Sequence, residues 1–172
     1  MRDEGAPHWL PELIGCDWNR YEESLKIAYG IFWRDFGHQH RRPAFRGKRM
    51  ELKRHPKFEG KSATFWHFVT EGGDEPQRTP VRERLERIAW PKAMIVEAER
   101  IPSRVMVWQN ERSRRNHRRA SRWVIALSDF SYVVVIDERE DFVLPWTAYP
   151  VEENHRRRKL RKEYDAWKAR KG

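Results

Sequence analysis

The chain has 172 residues, of which 38% are hydrophobic and 13% aromatic, enough to fill the core of one domain of ordinary size. Lys and Arg number 36 against 26 Asp and Glu, and the formal net charge of +10 favours a polyanionic partner, with nucleic acid the first candidate. The single cysteine, Cys16, excludes an intrachain disulfide and a cysteine-rich zinc site. With no secretory leader and no apolar run of about 20 residues, we expect a cytoplasmic protein without membrane contact.

The first predicted element is a helix capped by Asp17 and ending near Gly37, because apolar residues recur at three- and four-residue spacing. That apolar face consists of Trp18, Tyr21, Leu25, Ala28, Tyr29 and Phe32. Prolines and glycines around RMELK then predict a loop, a short strand and a turn. We therefore expect residues 1–55 to form an N-terminal helix and extension that covers the core or binds a partner.

The segment KSATFWHFVT, residues 61–70, predicts a β-strand because β-branched and aromatic residues stand between turn signals. Alternation would place Phe65, His67 and Val69 on one face, with apolar neighbours on both faces. His67 is then either a half-buried structural residue or a general acid or base, since imidazole titrates near neutrality.

A helix is predicted over VRERLERIAW, with Pro80 in its first turn and a break near Trp90 imposed by Pro91. Arg84 and Arg87 lie three residues apart in this helix, so both guanidiniums can reach one anion. The alternative is a solvated face in which these arginines pair with neighbouring glutamates.

Four strand-like runs follow, RVMVWQ, RWVIALSD, YVVVIDER and DFVLPWTAY, and they predict an antiparallel sheet. Pro145 marks the last run as an edge or bulged strand. Thr147 and Tyr149 share one face of that strand, where the threonine hydroxyl can bind a phosphate oxygen. The fold class expected is α+β, an antiparallel sheet of four or more strands with helices packed on it, built by a core over residues 56–150.

Arginines are concentrated between the first two of these strands, in ERSRRNHRRASR, with Trp108 and Trp123 at its borders. Cations interleaved with aromatics are typical of surfaces that bind a nucleic-acid backbone and stack its bases, although a solubilising hairpin has the same composition. The residues assigned to nucleic-acid binding are Trp108, Arg114, Arg115, Arg118, Arg119 and Arg122. Residues 151–172 predict a basic C-terminal helix, which suits nucleic acid or an acidic protein equally.

No phosphate-binding glycine loop, zinc-protease motif or nucleophile elbow occurs, and we expect no cofactor. His38 and His40 form an HxH pair without an obvious third ligand, so we expect no metal site.

Taken together, TFWHFVTEG, RTPVRERLERIAWP, YVVVIDER and VLPWTAYPVEENHRRRKLRKEY resemble the phage-associated branch of the barnase/EndoU/colicin/RelE-like nuclease superfamily, over about Lys61 to Tyr164. The resemblance implies a four-stranded antiparallel sheet and metal-independent RNA cleavage, in which the ribose 2′-hydroxyl attacks the adjacent phosphate. It also implies a toxin or a phage or prophage effector, inhibited by an acidic antitoxin protein.

The resemblance assigns proton transfer to His67 and phosphate binding to Arg84 and Arg87, with Thr147 as a hydrogen-bonding group. Lys61 and Arg112 are weaker candidates for the cation. The acid-base partner of His67 stays open among Tyr149, Tyr132, His117 and Lys61. A non-catalytic nucleic-acid-binding protein and a basic protein-interaction module are the alternatives to the nuclease.

Overall fold

A five-stranded sheet forms the centre of the fold, and four of its strands are the four predicted runs. The computed structural model describes residues 1, 3–73, 77–113 and 119–172, with the backbone alone at 111–113 and 119–120. The four strands are β4 (Val105–Ser113), β5 (Arg119–Leu127), β6 (Tyr132–Glu138) and β7 (Phe142–Pro150), and consecutive strands pair antiparallel. The fifth is β1 (Arg49–Met50), which pairs parallel with β7. The α+β class is confirmed, but the sheet is mixed rather than purely antiparallel.

Helices occupy both faces of this sheet. They are α1 (Tyr21–Phe32), α2 (Ala63–Val69), α3 (Arg82–Glu86), α4 (Trp90–Arg100) and α5 (Asn154–Lys171). The main core joins α1, α2 and α4 to one face of the sheet, and it includes Leu10 and Leu13 of the N-terminal segment. A smaller apolar cluster on the other face packs α5 against the sheet through Leu160, Tyr164 and Trp167. In the described part of the chain no helix is long and apolar enough to cross a membrane.

The prediction for residues 61–70 was wrong, because this segment forms α2 and not a strand. All seven residues of α2 are buried, so the sequence lacks the alternation of polar and apolar faces that would indicate a helical period of about 3.6 residues. The segment ends with Thr70 and Glu71, which form β2 and pair antiparallel with β3 (Thr79–Pro80). Pro80 therefore lies in β3 and not in the first turn of a helix, since α3 begins at Arg82.

The other helix boundaries follow the predictions closely. The Asp17 side chain accepts a hydrogen bond from the Asn19 amide, and α1 continues as a π-helical turn to Gly37. The break near Trp90 is confirmed, because α3 ends at Glu86 and α4 starts at Trp90 with Pro91 in its first turn.

A β-bulge interrupts the pairing of β6 with β7, as Pro145 predicted. Pro145 lies opposite Ile136, whereas Thr147 lies opposite Val135, so Trp146 is the extra residue. However, β7 is not an edge strand, because β1 pairs with it at Phe142 and Val143.

Candidate active site

A groove crosses the sheet face that carries α5, and it consists of two adjoining cavities. The first, of about 420 Å³, lies at the end of α2, and the second, of about 510 Å³, lies between the sheet and α5. Both are lined by Arg84, Trp146, Thr147 and Tyr149. We call these the His67 cavity and the α5 cavity, and the two together the groove.

His67 lies in the last turn of α2 and lines the first of these cavities. Its residue is 8% exposed, and its ring meets the Trp146 ring edge-on, with 5.3 Å between centroids. The Thr147 hydroxyl donates to the His67 carbonyl oxygen over 3.0 Å, which joins β7 to α2. Thr147 therefore lies on the last strand, as predicted, but its hydroxyl donates its hydrogen bond to the backbone of His67.

Two guanidinium groups are held beside His67 by the backbone that follows α2. Arg84 Nη1 donates to the Thr70 carbonyl oxygen over 2.6 Å, and Arg78 Nη2 donates to the same oxygen over 3.0 Å. Burial lowers the pKa of Arg84, while the nearby Glu71 carboxylate opposes that shift. The Arg84 guanidinium also lies 5.2 Å from the centre of the Tyr149 ring. This geometry gives the cavity fixed cationic donors.

Trp146 stands at the junction of the two cavities with two cations on its ring. The Lys53 ammonium is 5.2 Å and the Arg122 guanidinium 4.7 Å from the ring centre. Asp137 holds Arg122 in this position, because the Arg122 Nε lies 3.4 Å from the buried Asp137 carboxylate. Sequence reasoning placed Arg122 in a nucleic-acid surface, and the structure brings it into the groove.

The described lining of the groove is strongly cationic. It contains six cationic side chains, those of Lys53, Arg78, Arg84, Arg122, Arg156 and Lys159, and two carboxylates, those of Glu71 and Glu163. Such a surface attracts a polyanion, and its aromatic side chains offer flat apolar contact.

Arg87 does not join Arg84 in this groove. The helix α3 ends at Glu86, so Arg87 leaves the helical path and lines another cavity, where its Nη2 lies 2.6 Å from Asp3 Oδ2. Lys61 also lies apart, because its ammonium donates to the Glu59 carbonyl and faces the Tyr29 ring. Both assignments to the phosphate site are corrected on this geometry.

Trp108 was expected to stack a base, but it is 1% exposed and packs against Phe130 and Tyr164. The helix α5 covers this part of β4, so the indole belongs to the smaller apolar cluster. Arg114, Arg115, Arg118 and His117 lie outside the described residues, and only the backbone is described at Arg112 and Arg119.

Sequence reasoning missed Glu71, which lines the His67 cavity with an exposed carboxylate. It lies in β2, beyond the end of α2, so no helical or strand spacing in the sequence relates it to His67. Of the partners considered for His67, Tyr149 lines the same cavity, whereas Tyr132 is 2% exposed and packs on Trp90. Burial raises the pKa of Tyr132 well above its usual range. Glu71 and Tyr149 are therefore the described groups that can complete an acid-base pair.

Among the residues that the structure describes, no three His, Cys, Asp or Glu side chains converge to hold a metal ion. Comparisons of the chain with protein-family models, with curated proteins and with solved structures find no match. The resemblance to the nuclease superfamily accordingly stays a prediction from the sequence.

Proposed function

We propose that this chain is a metal-independent endoribonuclease that cleaves RNA by attack of a 2′-hydroxyl on the adjacent phosphate. The observation that carries the proposal is the lining of one cavity by His67, Glu71, Arg78 and Arg84. An imidazole and a carboxylate can exchange protons with a substrate, and two guanidiniums can bind its phosphate. The resemblance of the sequence to RNA-cleaving toxins and phage effectors supports the same reaction.

In this reaction the 2′ oxygen bonds to phosphorus while the bond from phosphorus to the 5′ oxygen breaks. We assign Glu71 to take the 2′ proton and the protonated His67 to give a proton to the leaving 5′ oxygen. The products are a 2′,3′-cyclic phosphate and a free 5′-hydroxyl. Tyr149 is the alternative second group, since its phenol lines the same cavity.

Charge stabilisation falls to Arg84 and Arg78 in this proposal. Negative charge grows on the phosphate oxygens in the transition state, and donors already fixed by the Thr70 carbonyl need little reorganisation to meet it. Thr147 acts as a positioning residue, because its hydroxyl holds the carbonyl of His67.

The test is incubation of purified protein with RNA in EDTA, followed by mapping of the new 5′ ends. We expect 5′-hydroxyl ends from the wild type, and a loss of roughly 10²–10⁴-fold in rate for His67→Ala, the range for removal of a general acid. The matched control is His8→Ala, which removes an exposed histidine outside the groove. Cleavage that persists in His67→Ala, with the fold intact by circular dichroism, refutes the assignment.

A second candidate, a non-catalytic RNA-binding protein, is favoured by the extent of the positive charge. The cations Arg156 and Lys159 continue the groove along α5, away from the His67 cavity. Under this alternative the same protein binds RNA and releases no 5′-hydroxyl ends. Under either function the cationic groove fits an acidic inhibitor protein that covers it, which competition between that protein and RNA would reveal.

A further inference from the structure

Trp146 lies at the β-bulge of β7. As the extra residue of the bulge, it escapes the alternation of β7, and it lines the groove beside its neighbour Thr147. The ring is half-buried and belongs to both cavities. A flat aromatic surface is thus presented where the two halves of the groove meet.

The neighbours of Trp146 are suited to a nucleotide. Lys53 and Arg122 lie on the indole, and the Asp137 carboxylate holds Arg122 in place. The Lys53 side chain is long and flexible, so it can turn to a phosphate and leave the ring to a base. Every nucleobase has a π face, and stacking on an indole is tolerant of sequence.

We propose that Trp146 stacks an unpaired nucleobase, so that the groove takes single-stranded RNA. This inference rests on the proposed function. The base on Trp146 belongs to a nucleotide next to the phosphate in the His67 cavity, and the strand continues into the α5 cavity past Arg156 and Lys159. In a duplex each base is stacked on its neighbours, so a duplex cannot offer one to this ring.

The test measures binding without cleavage. Short fluorescein-labelled oligomers with 2′-O-methyl riboses cannot undergo the attack, and their affinity follows from fluorescence anisotropy. One oligomer carries bases and its matched partner is abasic. The proteins are the wild type, Trp146→Leu, Trp146→Phe and the control Trp18→Leu, which alters a 42% exposed tryptophan outside the groove.

We expect the wild type to bind the oligomer with bases at least about five-fold more tightly than the abasic one. Trp146→Leu should lose this difference and bind both oligomers with the abasic affinity, whereas Trp146→Phe and Trp18→Leu should keep it. A Leu variant that weakens both oligomers equally overturns the inference, because Trp146 would then only position Lys53 and Arg122. Equal affinity of the wild type for single-stranded and duplex oligomers overturns it as well.

A second measurement needs no variant and therefore does not depend on the folding of Trp146→Leu. The fluorescence of 2-aminopurine, placed at each oligomer position in turn, should be quenched at one position when the wild type binds; no quenching at any position contradicts stacking. The two proposals fail separately. Base-dependent binding without 5′-hydroxyl ends refutes the nuclease alone, whereas cleavage in EDTA without base-dependent binding refutes the stacking alone.

Discussion

Replacement of Asp137 by Asn should destabilise the fold and loosen the groove together. Asp137 is 0% exposed, and its carboxylate lies 2.6 Å from Arg139 Nη2 and 3.4 Å from Arg122 Nε. Breaking a buried ion pair costs about 3–5 kcal/mol. The Arg122 and Arg139 side chains are 16% and 38% exposed, so hydration of these two cations can offset part of the lost ion-pair energy. We therefore expect a decrease of about 2–4 kcal/mol in the free energy of unfolding.

The assay is urea denaturation followed by circular dichroism, with Asp141→Asn as the matched control because that residue is exposed. For a chain of this size the expected loss corresponds to a fall of roughly 4–16 °C in Tm. RNA affinity should fall as well, since Arg122 loses the carboxylate that fixes it near Trp146. If Asp137→Asn and Asp141→Asn unfold within about 0.5 kcal/mol of each other, the buried carboxylate does not stabilise the fold as argued.

Burial raises the pKa of the Cys16 thiol to about 11, so the native thiol should react slowly with a thiol reagent at pH 8 and rapidly in denaturant; equal rates would contradict its burial. Burial favours the neutral form of Glu138, but hydrogen bonds led by that from Trp123 outweigh it, and the pKa lies below the usual 4.5. Stability from this carboxylate is thus present above pH 4.5 and is lost as pH falls through the lower folded pKa, so denaturation curves of Glu138→Gln should depend less on pH in that range. In salt titrations of binding to the uncleavable oligomer, Lys159→Gln should reduce the slope by about 0.7, whereas Lys26→Gln on α1 should leave it unchanged.

The sheet was predictable and α2 was not. The runs of β5 and β6 are buried on both faces and do not alternate, so their β-branched residues and the charged turns between the runs indicated strands. The α2 segment is buried all round, so its β-branched and aromatic residues indicated a strand, while tertiary packing selects a helix. His67 lines the groove although its element was wrongly predicted, and its assignment to proton transfer stays a prediction.

The positions of the other candidate residues depend on tertiary contacts that their spacing in the sequence does not predict. Arg84 and Arg87 were expected to point together on a continuous helix, but that helix stops at Glu86. Trp108 was expected at a surface because nothing in the sequence says that α5 returns to cover β4. Lys53 comes from a loop before α2 and reaches Trp146 only through the fold.

The bulge in β7 determines which side chains of this strand face the groove and which face the core. Inward-facing residues follow a spacing of two up to Pro145, and the next one, Ala148, comes three residues later. Loss of Trp146 would close the bulge and restore a spacing of two, so Thr147 and Tyr149 would stay in the groove and Ala148 in the core. In related chains, a one-residue deletion at the bulge should therefore remove the aromatic surface of the groove and leave the faces of the other β7 residues unchanged.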